Sequence, residues 1–433
     1  YIHVCQASEF DAAFEKLYGG QAPALHQLVR SASAGDASDD IDRLKDIASD
    51  APVIRLVNQL IARAVESRAS DIHIETMASE LRIRYRIDGR LQPVASPPHR
   101  LAAAVVSRIK IMAKLNIAER RLAQDGRISM AVRGRDIDLR VATAPTIHGE
   151  NVTLRILDRG HLELDFKVLG FDESVTQSLR SALSHPYGIV LVTGPTGSGK
   201  TTTLYTALLE LNTADRKILT IEDPVEYQLS GINQTQIKPQ IGLTFASALR
   251  SFLRHDPDIM MVGEIRDTET AEIAVQAALT GHLILATLHT NDAASAITRL
   301  LDMGVASYLI TSTLNGIAAQ RLVRKLCLQC REAYAPSLAL LERLGADAGS
   351  APFYKPRGCA ACSETGYRGR SSIVEVLIVS EDIRKAILRG ADATELQRIA
   401  AAQGMQTLYA NGLAKVVSGV TSVEELWRAT RVT

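Results

Sequence analysis

The chain has 433 residues, 46% hydrophobic and 22% charged, enough for two or three domains with buried cores. That composition excludes a mostly disordered chain, a collagen-like chain and a small disulfide-stapled scaffold, and no apolar run approaches the roughly 18–20 residues of a membrane-spanning helix. The net charge of +1 hides a segregation: −5 over residues 1–50, +8 over 51–160 and −2 over 161–433.

In chain order, residues 1–50 read as the tail of a truncated N-terminal domain. YGGQAPALHQLV suggests a short helix and SASAGDASDDID an acidic, turn-prone linker. The opening YIHVCQ has neither the basic nor the apolar stretch of a secretory signal. From Ala51, APVIRLVNQLIARAVES carries apolar residues at helical spacing, with Pro52 near the start. DIHIE, LRIRYRIDGRLQPV and RISMAVRGRDIDLRVATA alternate apolar and polar residues, with hairpin turns at Asp88-Gly89 and Arg133-Gly134. LAAAVVSRIKIMAKLNIA between them reads as a helix, so 51–160 is predicted to be an α+β domain. Its arginines suit phosphate or carboxylate recognition, or simply a salt-bridged surface. Few aromatic residues are there to stack bases, so no nucleic-acid partner is expected.

After an expected linker at 161–180 the pattern changes. GIVLVTG, KILTIED, IMMVGE and LILATLH are short apolar runs, each followed by a helical stretch. This predicts a buried parallel sheet flanked by helices over 181–326, an α/β domain. Beyond about Ser307 the pattern reads as mainly helical, broken by a Cys-containing insertion over 327–365 and closing with a helical region at 366–433.

GPTGSGKTTT at 194–203 follows an apolar strand and opens the helix TTLYTALLEL, the context of a P-loop. Gly194, Pro195, Thr196, Gly197, Ser198, Gly199, Lys200, Thr201 and Thr202 are the nucleotide-binding candidates. Glycines let backbone N–H groups wrap phosphates at a helix N-terminus. Lys200 would meet the β/γ-phosphates of ATP, and the Thr201 hydroxyl would ligate Mg²⁺. A Rossmann dinucleotide site is rejected, because the Lys-Thr pair follows the last glycine.

IMMVGEIRD at 259–267 has the form of a Walker B strand with Gly263 in place of the usual Asp. Glu264 is then the candidate to orient or deprotonate the attacking water. TIEDPVE ends another strand with Glu222, Asp223 and Glu226; ligands gather at the carboxyl ends of such strands, so Glu222 and Asp223 are candidates for the same work. Asp223-Pro224 equally reads as a turn opener. His289, at the carboxyl end of LILATLH, is a candidate phosphate sensor. His282 lies about 20 Å away at the other end and suits a structural or subunit contact.

Cys327-x2-Cys330 and Cys359-x2-Cys362 form the pattern of a tetrathiolate zinc site, with a helix from SLALLERLG expected between the pairs. Disulfides are the competing account, disfavoured for a nucleotide-dependent protein in a reducing compartment. Cys5 has no partner.

Taken in order, GPTGSGKTTTLY, TIEDPVE, MMVGEIRD, TGHLILATLHTND, AQRLVRKLCLQC and GYRGR resemble the type II secretion / type IV pilus assembly ATPase family over about 51–433, and within it most of all the type II secretion branch. The resemblance implies a RecA-like ATPase domain and a PAS-like α+β middle domain that closes over the nucleotide. It implies a homo-hexamer on the cytoplasmic face of the bacterial inner membrane, powering pseudopilus assembly. The implied partners are a bitopic inner-membrane protein, reached through a further N-terminal domain, and an inner-membrane platform protein. It also directs Arg140 and Arg155 toward phosphate, and Arg250, Arg254, Arg266 and Arg299 toward the nucleotide or a subunit interface. A pilus-assembly ATPase is the neighbouring alternative; a nucleic-acid motor and a nucleotide-gated scaffold are more distant ones.

Overall fold

Val53, Leu56, Val57, Leu60, Ile61 and Ala64 recur at three- and four-residue spacing and form the buried stripe of helix α1 (Ala51–Glu66). The structure, a computed structural model, describes residues 51–158, 164–345 and 352–430 together with Ala48. The short helix and acidic linker expected before Ala51, and Cys5, otherwise lie outside the described residues.

The alternating runs form β1 (Ala69–Thr76), β2 (Leu81–Ile87) and β3 (Arg90–Ala95), then, after α2 (Ala102–Met112), β4 (Gln124–Val132), β5 (Arg135–Thr146) and β6 (Gly149–Asp158). They pair into a wholly antiparallel sheet in the order β3-β2-β1-β6-β5-β4. Asp88-Gly89 and Arg133-Gly134 both take positive φ, as two-residue hairpin turns with the twist of the flanking strands require. Period-two alternation sorts the sheet into two faces. Ile72, Ile74, Ile83, Tyr85, Leu139, Val141 and Leu154 pack with α1 and α2 in one core. On the polar face, register aligns Arg127, Arg140, Arg155, Asp71 and Arg86 across five neighbouring strands. Arg155 Nε donates to Asp71 Oδ1 at 3.0 Å, and Arg86 Nε is 3.6 Å from Asp71 Oδ2.

The chain divides into two compact units between Leu162 and Glu163. The second starts earlier than the expected linker allows. Residues 166–183 hold α3 (Phe166–Leu169) and α4 (Glu173–Leu183), and α4 buries Val175, Leu179, Ala182 and Leu183 in the same core as β7 (Gly188–Thr193) and α5 (Lys200–Leu211). The short amphipathic pattern of α4 had been hidden by its polar composition.

Then follow β8 (Ile218–Glu222), β9 (Asn233–Gln236), α6 (Phe245–Phe252), β10 (Ile259–Val262), α7 (Thr268–Leu279), β11 (Leu283–Leu288), α8 (Ala293–Asp302), α9 (Ser307–Thr313) and β12 (Leu314–Leu326). The Cys-containing segment holds β13 (Glu332–Tyr334), α10 (Leu338–Leu344) and β14 (Phe353–Lys355). The chain returns through β15 (Tyr367–Ile378) and finishes with α11 (Glu381–Leu388), α12 (Ala393–Ala402), α13 (Leu408–Val417) and α14 (Val423–Thr430). The central sheet runs β15-β12-β7-β11-β10-β8-β9. All neighbours are parallel except β15, which runs antiparallel to β12. The four runs read as parallel strands are β7, β8, β10 and β11. The expectation of a mainly helical chain beyond Ser307 is corrected by β12 and β15, two long strands that complete the sheet. Their residues are buried on both faces and so show no alternation.

Candidate nucleotide site and cysteine centre

Strand β7 delivers Gly194 at its carboxyl end, and the loop 194–199 turns into α5. Gly194, Gly197 and Gly199 all have positive φ. Two of them are required by packing as well as by backbone angle. A Cβ at Gly194 would collide with the Gln320 carbonyl, and one at Gly199 would lie 2.8 Å from Gln320 Nε2. The loop therefore lies directly against β12. Lys200, at the first turn of α5, is buried; its ammonium donates to the Gly194 carbonyl at 2.8 Å and the Pro195 carbonyl at 3.2 Å. Burial brings it down to about 8, with the nearby Glu264 carboxylate opposing the shift. Thr201 is exposed beside it, and Pro195, Thr196 and Gly197 form the open crest of the loop.

Glu264 follows β10, the strand two places from β7. Its carboxylate pairs with Arg266, and Oε2 lies 3.3 Å from His289 Nε2 at the end of β11. The structure thus brings together Lys200, Glu264, Arg266 and His289 around the carboxyl ends of β7, β10 and β11, as an open α/β sheet arranges a ligand site. Gly263 has a local reason for lacking a side chain: a Cβ there would stand 3.2 Å from the Ile221 carbonyl and 3.3 Å from Glu222 Cα.

Glu222 lies elsewhere in chemical terms. Its Oε2 accepts from the Tyr205 hydroxyl, and its Oε1 accepts from Thr220 at 2.7 Å and Gln234 at 3.0 Å. Burial raises its pKa, and these three donors only partly offset that. Both oxygens are engaged within the protein, so Glu222 ties α5 to β8 and β9. His282, at the amino end of β11, lies against the Ala277 carbonyl and the Thr280 hydroxyl, a local structural role. Arg250 pairs with Glu269 at 2.7 Å on an exposed face, Arg254 bonds the Arg250 carbonyl, and Arg299 is exposed on α8. Arg140 and Arg155 stand side by side on β5 and β6 of the first unit.

Cys327, Cys330, Cys359 and Cys362 converge with all four sulfurs within 4.8 Å of one another. Three of the sulfur–sulfur edges, 3.9 Å, 3.8 Å and 3.7 Å, match the roughly 3.8 Å edge of a tetrahedron with ~2.3 Å metal–sulfur bonds. They are far longer than the ~2.04 Å of a disulfide. The N–H groups of Cys359 and Gly366 point at the Cys362 sulfur, at 3.2 Å and 3.1 Å, as they do around a thiolate. The donor set fits zinc, and a helix, α10, lies between the two pairs in the chain as expected.

A model of the type II/IV secretion system protein family matches residues 46–428. The chain belongs to that family. The type II secretion system protein E of Xanthomonas campestris pv. campestris is 58% identical over 436 residues, covering 99% of this chain and 76% of that one. The type IV pilus assembly ATPase PilB of Myxococcus xanthus is 48% identical over 432 residues, covering 96% and 75% respectively. Among solved structures, the pilus retraction motor PilT with bound ADP is 27% identical, covers 87% of this chain and 97% of that chain, and superposes with a TM-score of 0.57. The loop and the sheet behind it are those of a P-loop ATPase of this family.

Three residues at this site were missed from sequence. Gln320 and Arg321 sit in a run read as helical, and only the strand register puts them beside the phosphate loop and Asn291, whose side-chain carbonyl Arg321 bonds at 2.9 Å. Glu375, buried on β15, accepts from the N–H groups of Ala293 and Leu408 at 2.8 Å and 2.9 Å, and so holds the first turns of α8 and α13. A charged residue inside SSIVEV is the signal that could have found it.

Proposed function

We propose that this chain is the Mg²⁺-dependent ATPase that drives pseudopilus assembly and protein export by a type II secretion system. The observation that carries this reading is the match along 99% of the chain to a type II secretion system protein E, on a sheet that presents a complete P-loop. Lys200 would leave its two loop carbonyls to bind the β/γ-phosphates, and the first turn of α5 would donate backbone N–H groups to them. Mg²⁺ supplies charge neutralisation on the phosphates, with the exposed Thr201 hydroxyl as its protein ligand. Glu264 orients and deprotonates the attacking water, and Arg266 and His289 hold its carboxylate. Glu222, with its oxygens committed, positions β8 rather than taking the proton. By family likeness Arg140 and Arg155 are directed to phosphate, and Arg250, Arg254, Arg266 and Arg299 to the nucleotide or a neighbouring subunit. The PAS-like description of the first unit, the hexamer, the bitopic and platform partners and the cytoplasmic face of the inner membrane belong to the same proposal.

A strain lacking this gene and complemented with the parent chain is expected to regain secreted exoproteins, and with Lys200→Ala to regain none. Restored pili with no restored secretion would overturn the assignment in favour of pilus assembly, the reading that the PilB likeness keeps in view. In vitro, ATPase turnover per subunit should climb with protein concentration as the ring assembles.

The cysteine centre is proposed to hold one structural zinc. It packs through Leu344 and Phe353 against Val416, Val423 and Leu426 of α13 and α14. Elemental analysis should find about one zinc per chain, and Cys362→Ser should lose it and expose 327–365 to protease. A Cys362→Ser protein with full zinc content would refute the site.

A further inference from the structure

Strand β12 continues past the carboxyl end of β7: Ala319 is opposite Thr193, the last residue of β7, and Gln320 is the next position along. At that point the phosphate loop leaves the sheet and passes over β12. Gln320 is 2% exposed and meets the loop at two places and the first turn of α5 at a third. Its carbonyl closes off Gly194, its Nε2 lies against Gly199, and its Oε1 accepts from the Thr203 hydroxyl at 2.6 Å. The same amide donates from Nε2 to Ser372 Oγ on β15 at 3.2 Å. Thr203 and Ser372 are as buried as Gln320, so no water can substitute for the amide.

We infer that Gln320 is a positioning residue for ATP binding: it fixes the height and pitch of the phosphate loop through Thr203, and Ser372 anchors it to β15. This deepens the nucleotide-site reading and rests on it. The chemistry is specific. A primary amide carries an acceptor and a donor on one planar group, so a single side chain can take the α5 hydroxyl while giving to the β15 hydroxyl. An apolar residue of the same size would strand both hydroxyls in the interior, and α5 would shift to relieve them. The first turn of α5 carries Lys200 and the phosphate-facing N–H groups, and small displacements of such groups cost large factors in binding and rate.

The test compares the full chain with Gln320→Leu, Thr203→Val, Thr203→Ser and Ser372→Ala, reading affinity for a fluorescent ADP in Mg²⁺, kcat and KM for ATP, and melting temperature. Gln320→Leu and Thr203→Val are each expected to weaken ADP binding about tenfold or more. The double variant should be no weaker than Gln320→Leu alone, because both changes remove one hydrogen bond. Thr203→Ser should restore the binding lost in Thr203→Val, and in Gln320→Leu KM should rise by a larger factor than kcat falls. A folded Gln320→Leu protein that binds within twofold of the parent overturns the inference, as do additive effects in the double variant. If Gln320→Leu does not fold, Thr203→Val decides by the same twofold criterion. Lys200→Ala separates the two levels: a parent that binds no better than Lys200→Ala overturns the nucleotide-site reading itself, and this inference with it.

Discussion

Glu264→Gln is expected to lower kcat for ATP by about 10²–10⁴-fold while nucleotide affinity stays within a few-fold of the parent. Glutamine keeps the shape and one acceptor, so it can still receive Arg266, but it cannot take a proton from water. The paired Arg266 and His289 lie on the carboxylate itself, which fixes its orientation before any substrate arrives. Glu222→Gln gives the contrast. Its oxygens already accept from Tyr205, Thr220 and Gln234, so the main loss is in the fit of α5 against β8 and β9. Steady-state kinetics with single-turnover measurements distinguish the two. A Glu264→Gln enzyme turning over at the parental rate, beside a dead but well-folded Glu222→Gln, would exchange their roles.

Glu425→Ala should destabilise the second unit by about 3–5 kcal/mol, the usual result of stranding one partner of a buried ion pair. Glu425 and Arg324 are both buried, and Glu425 Oε1 receives Arg324 Nη2 at 2.7 Å. Arg324 also stacks 3.8 Å from the centre of the Tyr367 ring. Without the carboxylate, a guanidinium remains inside with no counter-charge, and α14 loses its tie to β12. Acid supplies a second signature. Burial works against the Glu425 charge, but hydrogen bonds from Arg324 and Arg428 outweigh it and hold the group at about 2. Its folded pKa is therefore depressed, so the stability it contributes is complete above the unfolded value near 4 and drains away as pH falls toward 2. Glu425→Gln should flatten that acid limb. Denaturant midpoints between pH 7 and pH 3 measure it; equal slopes in parent and variant would show that the pair carries no linked stability.

What could be read without coordinates was what local chemistry writes locally. LRIRYRI alternates, so β2 and its faces were legible, and the two-residue turns at 88–89 and 133–134 set how β2 meets β3 and how β4 meets β5. The P-loop was legible because glycines, lysine and threonine must fall at fixed offsets between a strand and a helix. Glu264 could be placed because it ends an apolar run. The failures share a cause. β15 reads SSIVEVLI, apolar on both faces, and period alone does not separate a buried strand from a buried helix segment. α4 was lost because its eleven residues are mostly polar and its stripe is short. Gln320 could not be found at all by pattern, because its partner Thr203 lies 117 residues away. The rank of arginines on β4, β5, β6 and β2 is likewise a property of strand pairing, invisible until five strands are laid side by side.

The distance between Gln320 and Thr203 also sets an order of events in synthesis. The GPTGSGKT motif leaves the ribosome long before β12, and β7 gains its second neighbour only when that strand arrives. A nascent chain halted before residue 320 would carry every residue of the phosphate-binding signature with no floor beneath it. The motif is written early and becomes a binding site late, and in the interval the exposed edge of β7 is the place where a chaperone, or another nascent copy, would find this protein.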